Sequence, residues 1–252
     1  MSDDLETMRQ IAELAESDLP LLVLDVDDVI LEFIRPFPVY LRERGFELKF
    51  DSFSLNGNIA DLASGARIGK DHVSQLVDDF FDVQHDWQEL AENAAEIIAG
   101  LAGSAEVVLL TAMPHRHRAR RRALLDNLDL PYPLVTTERA KGPAIKLLRG
   151  THPRPVAFVD DMYHNLISAR DAVADAHLFH LLHRPENRNR FSESTMHRFR
   201  VLERPCVASK WTHGALMADN SVRALLPPVP EGITRVEHWR EAGPTIARAL
   251  GV

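Results

Sequence analysis

The stretch LLVLDVDDVI, residues 21–30, reads as a buried strand that ends on a cluster of acids. Its first six positions, 21–26, form a short apolar run rich in branched side chains. Just before it, Asp18-Leu19-Pro20 ends a helical pattern in which Leu5, Met8, Ile11, Ala12 and Ala15 recur at helical spacing over about 4–16. In an extended chain, positions i and i+2 share a side. Asp25 and Asp27 are therefore expected to face one way where the strand ends, and Asp28 the other.

Working outward, similar apolar runs recur at EVVLL (106–110), PLVTT (133–137), PVAFVD (155–160) and AHLFHLL (176–182). Helical patterns lie between them: Ala119, Ala123, Leu124 and Leu128; Ala144, Ile145 and Leu148; Leu166, Ile167 and Val173. This alternation predicts an α/β fold, a Rossmann-like parallel sheet with helices on both faces. The gap between 26 and 106 is too long for one crossover helix. It carries one helical stripe at Val73, Leu76, Val77, Phe80 and Phe81, with Asp71 as the expected N-cap. A second stripe runs from Trp87 to Leu101, and the glycine-containing stretch 51–70 reads as a loop. The gap is read as a helical subdomain, 31–104, inserted into a core of 1–30 and 105–252. Residues 184–232 have little periodicity and are expected to wrap the surface; TRVEHW suggests a short strand, and Pro244 opens a last helix over 244–250.

Of 252 residues, 45% are hydrophobic and 26% charged, as in an ordinary globular chain. No apolar run approaches the length of about 20 residues that spans a bilayer, so no membrane partner is expected. The acidic, amphipathic N-terminus resembles neither a secretory signal nor a transit peptide, and the single cysteine, Cys206, fits a reducing compartment. A cytoplasmic location is expected. A net charge of -8 argues against broad attraction to nucleic acid. The basic run HRHRARRR, 115–122, is the local exception and is read as a solvated helix face. The oligomeric state is left open.

Three strands deliver polar groups at their carboxyl ends, where open parallel sheets bind ligands. They are Asp25 and Asp27, then Thr111, then Asp160 and Asp161, with Asn165 a short step beyond. Four carboxylates converging there would repel one another unless a hard divalent cation joined them, and magnesium suits carboxylates, waters and a substrate phosphate. Thr111 offers a hydroxyl to a phosphoryl group and Lys141 a cation.

In order and spacing these segments resemble the four motifs of the haloacid-dehalogenase (HAD) hydrolase superfamily. The matching segments are LLVLDVDDVI, VVLLTAMP, Lys141 in KGPAIKLL, and VAFVDDMYHN. The resemblance implies that Asp25 attacks phosphorus and that Asp27 protonates the leaving oxygen and later activates water. It implies Mg2+ held by Asp25, the Asp27 backbone carbonyl, Asp160, Asp161 and Asn165, with Asp161 the best-aligned direct ligand. Thr111, the Ala112 amide and Lys141 would bind the phosphoryl group; Lys146 fits the third motif's spacing less well. The acid at 27 favours phosphate-ester hydrolysis over dehalogenation, and no lysine of the insert, Lys49 or Lys70, stands out for phosphonate cleavage. Asp28 departs from the family, where many members have glycine. The insert falls where the family places its first type of cap, and FIRPFPVYLRERGF, LLHRPENRN and EHWREA carry a loose likeness to the deoxyribonucleotidase branch.

The expected substrate is a small phosphate ester, with nucleotide monophosphates one candidate. Arg67 and Lys70 in the insert are candidate anion-binding residues. Two alternatives stay open: a phosphatase for nucleic-acid ends, motivated by 115–122, and a non-catalytic binding protein on the same fold. His115 and His117 have no third ligand at supporting spacing, so zinc is not expected. His164 is read as a helix-start residue and Trp87 as core of the insert.

Overall fold

The computed structural model describes residues 4–15, 17–49, 55–151, 153–182 and 229–252. Cys206 and nearly all of the stretch 184–232 lie outside these. The described residues form two compact units, one of 4–32, 89–182 and 229–252, the other of 33–49 and 55–88.

Helix α1 (Leu5–Ala12) and strand β1 (Leu21–Leu24) open the first unit. The second unit contributes α2 (Phe37–Glu43), β2 (Phe46–Leu48), β3 (Ile59–Asp61) and α3 (Lys70–Asp82). The first then resumes with α4 (Ala94–Ala102), β4 (Glu106–Thr111), α5 (Arg118–Asn127), β5 (Leu134–Thr136), α6 (Lys141–Arg149) and β6 (Val156–Asp160). It closes with α7 (Tyr163–Ala172), β7 (His177–Leu181), β8 (Ile233–Val236) and α8 (Trp239–Leu250).

The six strands of the first unit pair in the order β5-β4-β1-β6-β7-β8, all parallel. Strand alternation divides β1 between two apolar layers. Leu22 and Leu24 pack with α4, α5 and α8 on one face, while Leu21 and Val23 pack with α6 and α7 on the other. This is the Rossmann-like α/β architecture that the alternating pattern predicts. Because β4 and β6 flank β1 on opposite sides, the chain order reverses there, and open parallel sheets bind ligands at the carboxyl ends of strands at such a reversal.

Local differences from the sequence reading have physical causes. Helix α1 stops at Ala12, short of the expected 16. Residues 51–70 are not wholly loop: β3 pairs antiparallel with β2, Phe46 opposite Asp61. Helix α3 starts one residue before Asp71, with Gly69 in extended backbone as its N-cap. The stripe from Trp87 to Leu101 is helical only from Ala94, because Asn93 takes a left-handed φ of 62° and interrupts it. The sequence reading put α4 in the insert at 31–104. Instead Ala94, Ile98 and Leu101 join the core beneath β1, and among the described residues the compact second unit lies within 33–88. Pro244 lies inside α8 rather than opening it. The helix starts five residues earlier because His238 caps it, Nδ1 accepting the Glu241 amide at 3.1 Å, and because Trp239, Ala242, Ile246 and Leu250 bury one continuous face.

The second unit is held by rings. Phe33 stacks on Phe37 at 4.9 Å, Phe80 meets Phe37 and Tyr40 edge-on at 5.2 and 5.0 Å, and Trp87 meets Tyr40 at 5.5 Å.

Helices α6 and α7 approach so closely that Gly142 admits no side chain. A Cβ there would stand 2.0 Å from the Ser168 carbonyl oxygen, and the Gly142 amide donates to Ser168 Oγ at 3.1 Å. Gly142→Ala is expected to cost about 1–3 kcal/mol or more of unfolding free energy in urea titrations. Stability equal to wild type would mean that α6 and α7 separate without penalty.

Candidate active site

The acids at the end of β1 are positioned by the sheet. Leu24 lies level with Leu109 and Val159, and the next amide, that of Asp25, donates to Val159 O at 3.0 Å. Asp25 therefore stands beside Asp160, the last residue of β6. The chain then turns tightly: the amides of Ile30 and Leu31 donate to Val26 O, and that of Asp28 to Leu31 O at 2.7 Å. From the far end of the sequence, Trp239 Nε1 donates to Val29 O at 2.8 Å and ties this turn to α8.

The turn overrides strand alternation. Asp28 sits at φ 55°, in the left-handed region that glycine favours and aspartate tolerates. It also corrects the expected orientation of Asp28, whose side chain does not face away: it is buried, and its charge is among those that raise the Asp161 pKa.

At the centre lies Lys141, the first residue of α6 and fully buried. Its Nζ donates to Asp25 Oδ1 at 2.6 Å and to Asp160 Oδ2 at 2.7 Å. Asp160 is also gripped by the Met162 amide (2.8 Å) and by Asn165 Nδ2 (3.0 and 3.1 Å to its two oxygens). Lys146, the weaker alternative, is exposed. Burial drives the Asp25 carboxyl up to about 7; Lys141 pulls it back, while Asp160 and Asp27 push it further. Burial likewise lifts Asp161 well above the ordinary carboxylate range, with Asp160, Asp28 and Asp25 adding to the rise. Burial opposes the charge of Lys141, but Asp160 and Asp25 outweigh it and raise its pKa.

Asp25, Asp160 and Asp161 each present a carboxylate oxygen within 4.8 Å of the others, the one such group of potential metal ligands among the described residues. The set is all oxygen and, once ionised, carries more negative charge than Lys141 neutralises, which suits a hard divalent cation such as Mg2+ and not zinc. His115 is engaged elsewhere, with Nε2 2.9 Å from Asp4 Oδ1 and Nδ1 2.7 Å from Thr136 Oγ1. His180 Nε2 lies 2.9 Å from the Asp161 carbonyl oxygen, and its ring stacks on Tyr163 at 3.9 Å, buttressing the acidic turn after β6. Burial lowers the His180 pKa to about 4, so the ring is neutral and donates that bond.

Thr111 ends β4, fully buried, with Oγ1 3.5 Å from Asp27 Oδ2, and Ala112 follows it on the same loop. The structure thus brings together Asp25, Asp27, Thr111, Lys141, Asp160, Asp161 and Asn165. Arg67 and Lys70 are not part of this cluster. They are exposed residues of the second unit, and Arg67 Nη1 donates to Gly57 O at 2.8 Å.

One site residue escaped the sequence reading. The other oxygen of Asp27, Oδ1, accepts from Arg121 Nη2 at 2.9 Å, and Arg121 is fully buried. It comes from the run 115–122 that was read as a solvated face. That reading holds for part of the run only. Arg118 Nε donates to Leu134 O, Arg122 donates to Tyr132 O and Leu130 O, and His117 is buried. The inward face of α5 runs through Arg121, Leu124 and Leu125, and the alanines 119 and 123 point out. A signal was available: Arg121 precedes Leu124 by three residues and Leu128 by seven, which is the spacing of one helix face.

No protein-family model and no curated protein matches the chain. Several solved structures resemble it in fold. A HAD-hydrolase from Bacillus subtilis bound to magnesium aligns over 94% of this chain and 100% of its own at 12% identity, TM-score 0.49. A HAD family hydrolase from Deinococcus radiodurans with bound phosphate and sodium aligns over 93% and 97% at 14% identity, TM-score 0.48. A haloacid dehalogenase-like protein from Streptococcus pneumoniae aligns over 66% and 86% at 14% identity, TM-score 0.46. No helix among the described residues is long and apolar enough to cross a membrane.

A cation bound by these acids adds its binding free energy to stability. At about 100 times its Kd, magnesium is expected to raise the unfolding midpoint by about 5–10 °C, and Asp161→Asn to remove most of that gain. In chelator, Asp161→Asn should be at least as stable as wild type. A carboxyl whose folded pKa is raised costs the fold stability when it ionises, and asparagine has no acidic proton to lose. Calorimetry of both proteins with magnesium and with chelator checks this; a magnesium shift unchanged in Asp161→Asn would place the cation elsewhere.

Proposed function

We propose that the chain is a magnesium-dependent phosphohydrolase of the HAD superfamily, cleaving the phosphate monoester of a small metabolite or nucleotide through an aspartyl-phosphate at Asp25. The observation that carries this reading is the placement of Lys141 Nζ between Asp25 and Asp160, with Asp161 completing the acidic group. A nucleophilic carboxylate must approach a phosphate dianion, and a buried lysine against it offsets that repulsion.

In this mechanism an oxygen of Asp25 attacks phosphorus while the bond from phosphorus to the ester oxygen breaks. Asp27 gives its proton to that leaving oxygen. Asp27 then takes a proton from water, the water oxygen attacks phosphorus, and the acyl-phosphate bond breaks to return Asp25 and inorganic phosphate. Thr111 Oγ1 and the Ala112 amide hold phosphoryl oxygens, and Lys141 neutralises charge on Asp25 and on the transferred group. Asp25, Asp160, Asp161, the Asp27 carbonyl and, through Asp160, Asn165 would hold Mg2+. When bound, the ion supplies charge stabilisation of the phosphoryl group.

The second unit is the proposed cap, selecting the substrate and excluding water, with Arg67 and Lys70 as proposed contacts to an anionic substrate. A cytoplasmic setting belongs to the same reading, from the single cysteine. A small ester is favoured over a nucleic-acid end because Arg118, Arg121 and Arg122 are committed to contacts within the fold. A purely binding role is disfavoured because nucleophile, acid and lysine are all retained.

Phosphate release across a panel of phosphorylated metabolites and nucleotides tests the proposal, in magnesium and in chelator, with wild type beside Asp25→Asn. Release from at least one ester, lost in chelator and below detection in Asp25→Asn, is expected. Release that persists in a folded Asp25→Asn protein would move the nucleophile elsewhere.

A further inference from the structure

The site contains two buried cations, Lys141 and Arg121. Lys141 serves Asp25 and Asp160, whereas Arg121 reaches Asp27, its Nη2 2.9 Å from Oδ1. The other Asp27 oxygen, Oδ2, lies toward Thr111 Oγ1 at 3.5 Å. Oδ1 thus meets the Arg121 guanidinium and Oδ2 the Thr111 hydroxyl.

Stability alone does not account for Arg121. Its neighbours on the inward face of α5 are Leu124 and Leu125, and an apolar side chain would continue that face. Burying an ion pair is costly, and replacing one by packed apolar residues is often neutral or stabilising. What the guanidinium provides is a directed N–H: Nη2 on a rigid planar group donates to Oδ1 at 2.9 Å, whereas an ammonium acts as a point charge.

We infer that Arg121 is the positioning residue for the acid–base group Asp27, holding Oδ1 so that Oδ2 is the oxygen that exchanges the proton with leaving group and water. The inference rests on the phosphatase reading above and deepens it. As the ester bond to phosphorus breaks, the proton on Oδ2 passes to the leaving oxygen. In hydrolysis Oδ2 takes a proton from water. Arg121 donates to Oδ1 throughout and neither gains nor loses a proton.

An alkoxide needs that proton in order to leave, whereas para-nitrophenolate departs as the anion. The value of kcat/KM reports steps only through release of the alcohol, so it isolates proton delivery from later hydrolysis. In Arg121→Met, kcat/KM for glycerol phosphate should fall by about 100-fold or more, the scale of a lost general acid, while para-nitrophenyl phosphate changes only a few-fold. Asp27→Asn should give the same pattern, and adding Arg121→Met to it should cost little more, because the two act as one unit.

Arg121→Lys keeps the buried charge without the directed N–H of the planar group and is expected to show the same selective loss. It stands in if Arg121→Met does not fold, as judged by circular dichroism and urea unfolding. Equal losses on both esters in a folded variant, or additive losses in the double variant, would overturn the role of Arg121 while leaving the phosphatase reading intact. No Asp25-dependent turnover by wild type of these two esters or of any ester in the panel above would overturn that reading and this inference together.

Discussion

The site depends on a single electrostatic constraint: acids crowded at the carboxyl edge of the sheet, with one fully buried lysine between two of them. Lys141 touches Asp25 and Asp160 at hydrogen-bonding distance, and without it those charges would face each other unscreened in a medium that stabilises none of them. The constraint reaches outward into the fold. Lys141 is the first residue of α6, so its reach depends on where α6 sits. That in turn depends on Gly142, which lets α6 close against the Ser168 backbone of α7. Asp160 is set by β6 and by the Met162 amide and Asn165 at the start of α7. The same two helices thus position both the cation and its carboxylate partner.

A second set of contacts holds the turn that carries Asp27 and Asp28. The left-handed backbone at Asp28, the bonds to Val26 O and the Trp239 indole on Val29 O hold that turn at the end of β1. Arg121 then reaches Asp27 from α5. Segments more than 200 residues apart in sequence, Val29 and Trp239, meet to shape one acidic turn. The acids themselves contribute little stability, as the raised pKa values of Asp25 and Asp161 indicate. Their cost is carried by the apolar layers on both faces of the sheet.

Much of this was legible along the chain. The strands at 21, 106, 134, 156 and 177 are short apolar runs, and a run of that kind has few alternatives to a buried parallel strand. Asp25, Thr111 and Asp160 could be placed at one edge because parallel strands deliver their carboxyl ends to the same side. The weaker readings came where a local pattern met a tertiary decision. The stripe from 87 to 101 has helical spacing, yet Asn93 breaks it and α4 joins the sheet. Pro244 reads as a helix start, yet the burial of Trp239 begins α8 earlier. Strand alternation places Asp28 on the far side, but the strand ends at Leu24, before alternation can apply.

The sequence by itself determined the α/β class, the strand ends and the acidic and basic groups that gather there, because these follow from apolar periodicity and from residue type. Only the tertiary structure decided which groups touch. Arg121 and Arg120 are neighbours in one basic run, but helical rotation and the packing of Leu124 and Leu125 turn the first inward to Asp27 and leave the second exposed. Composition cannot separate them, since a charge's role is set by which face its helix buries and by what lies opposite that face.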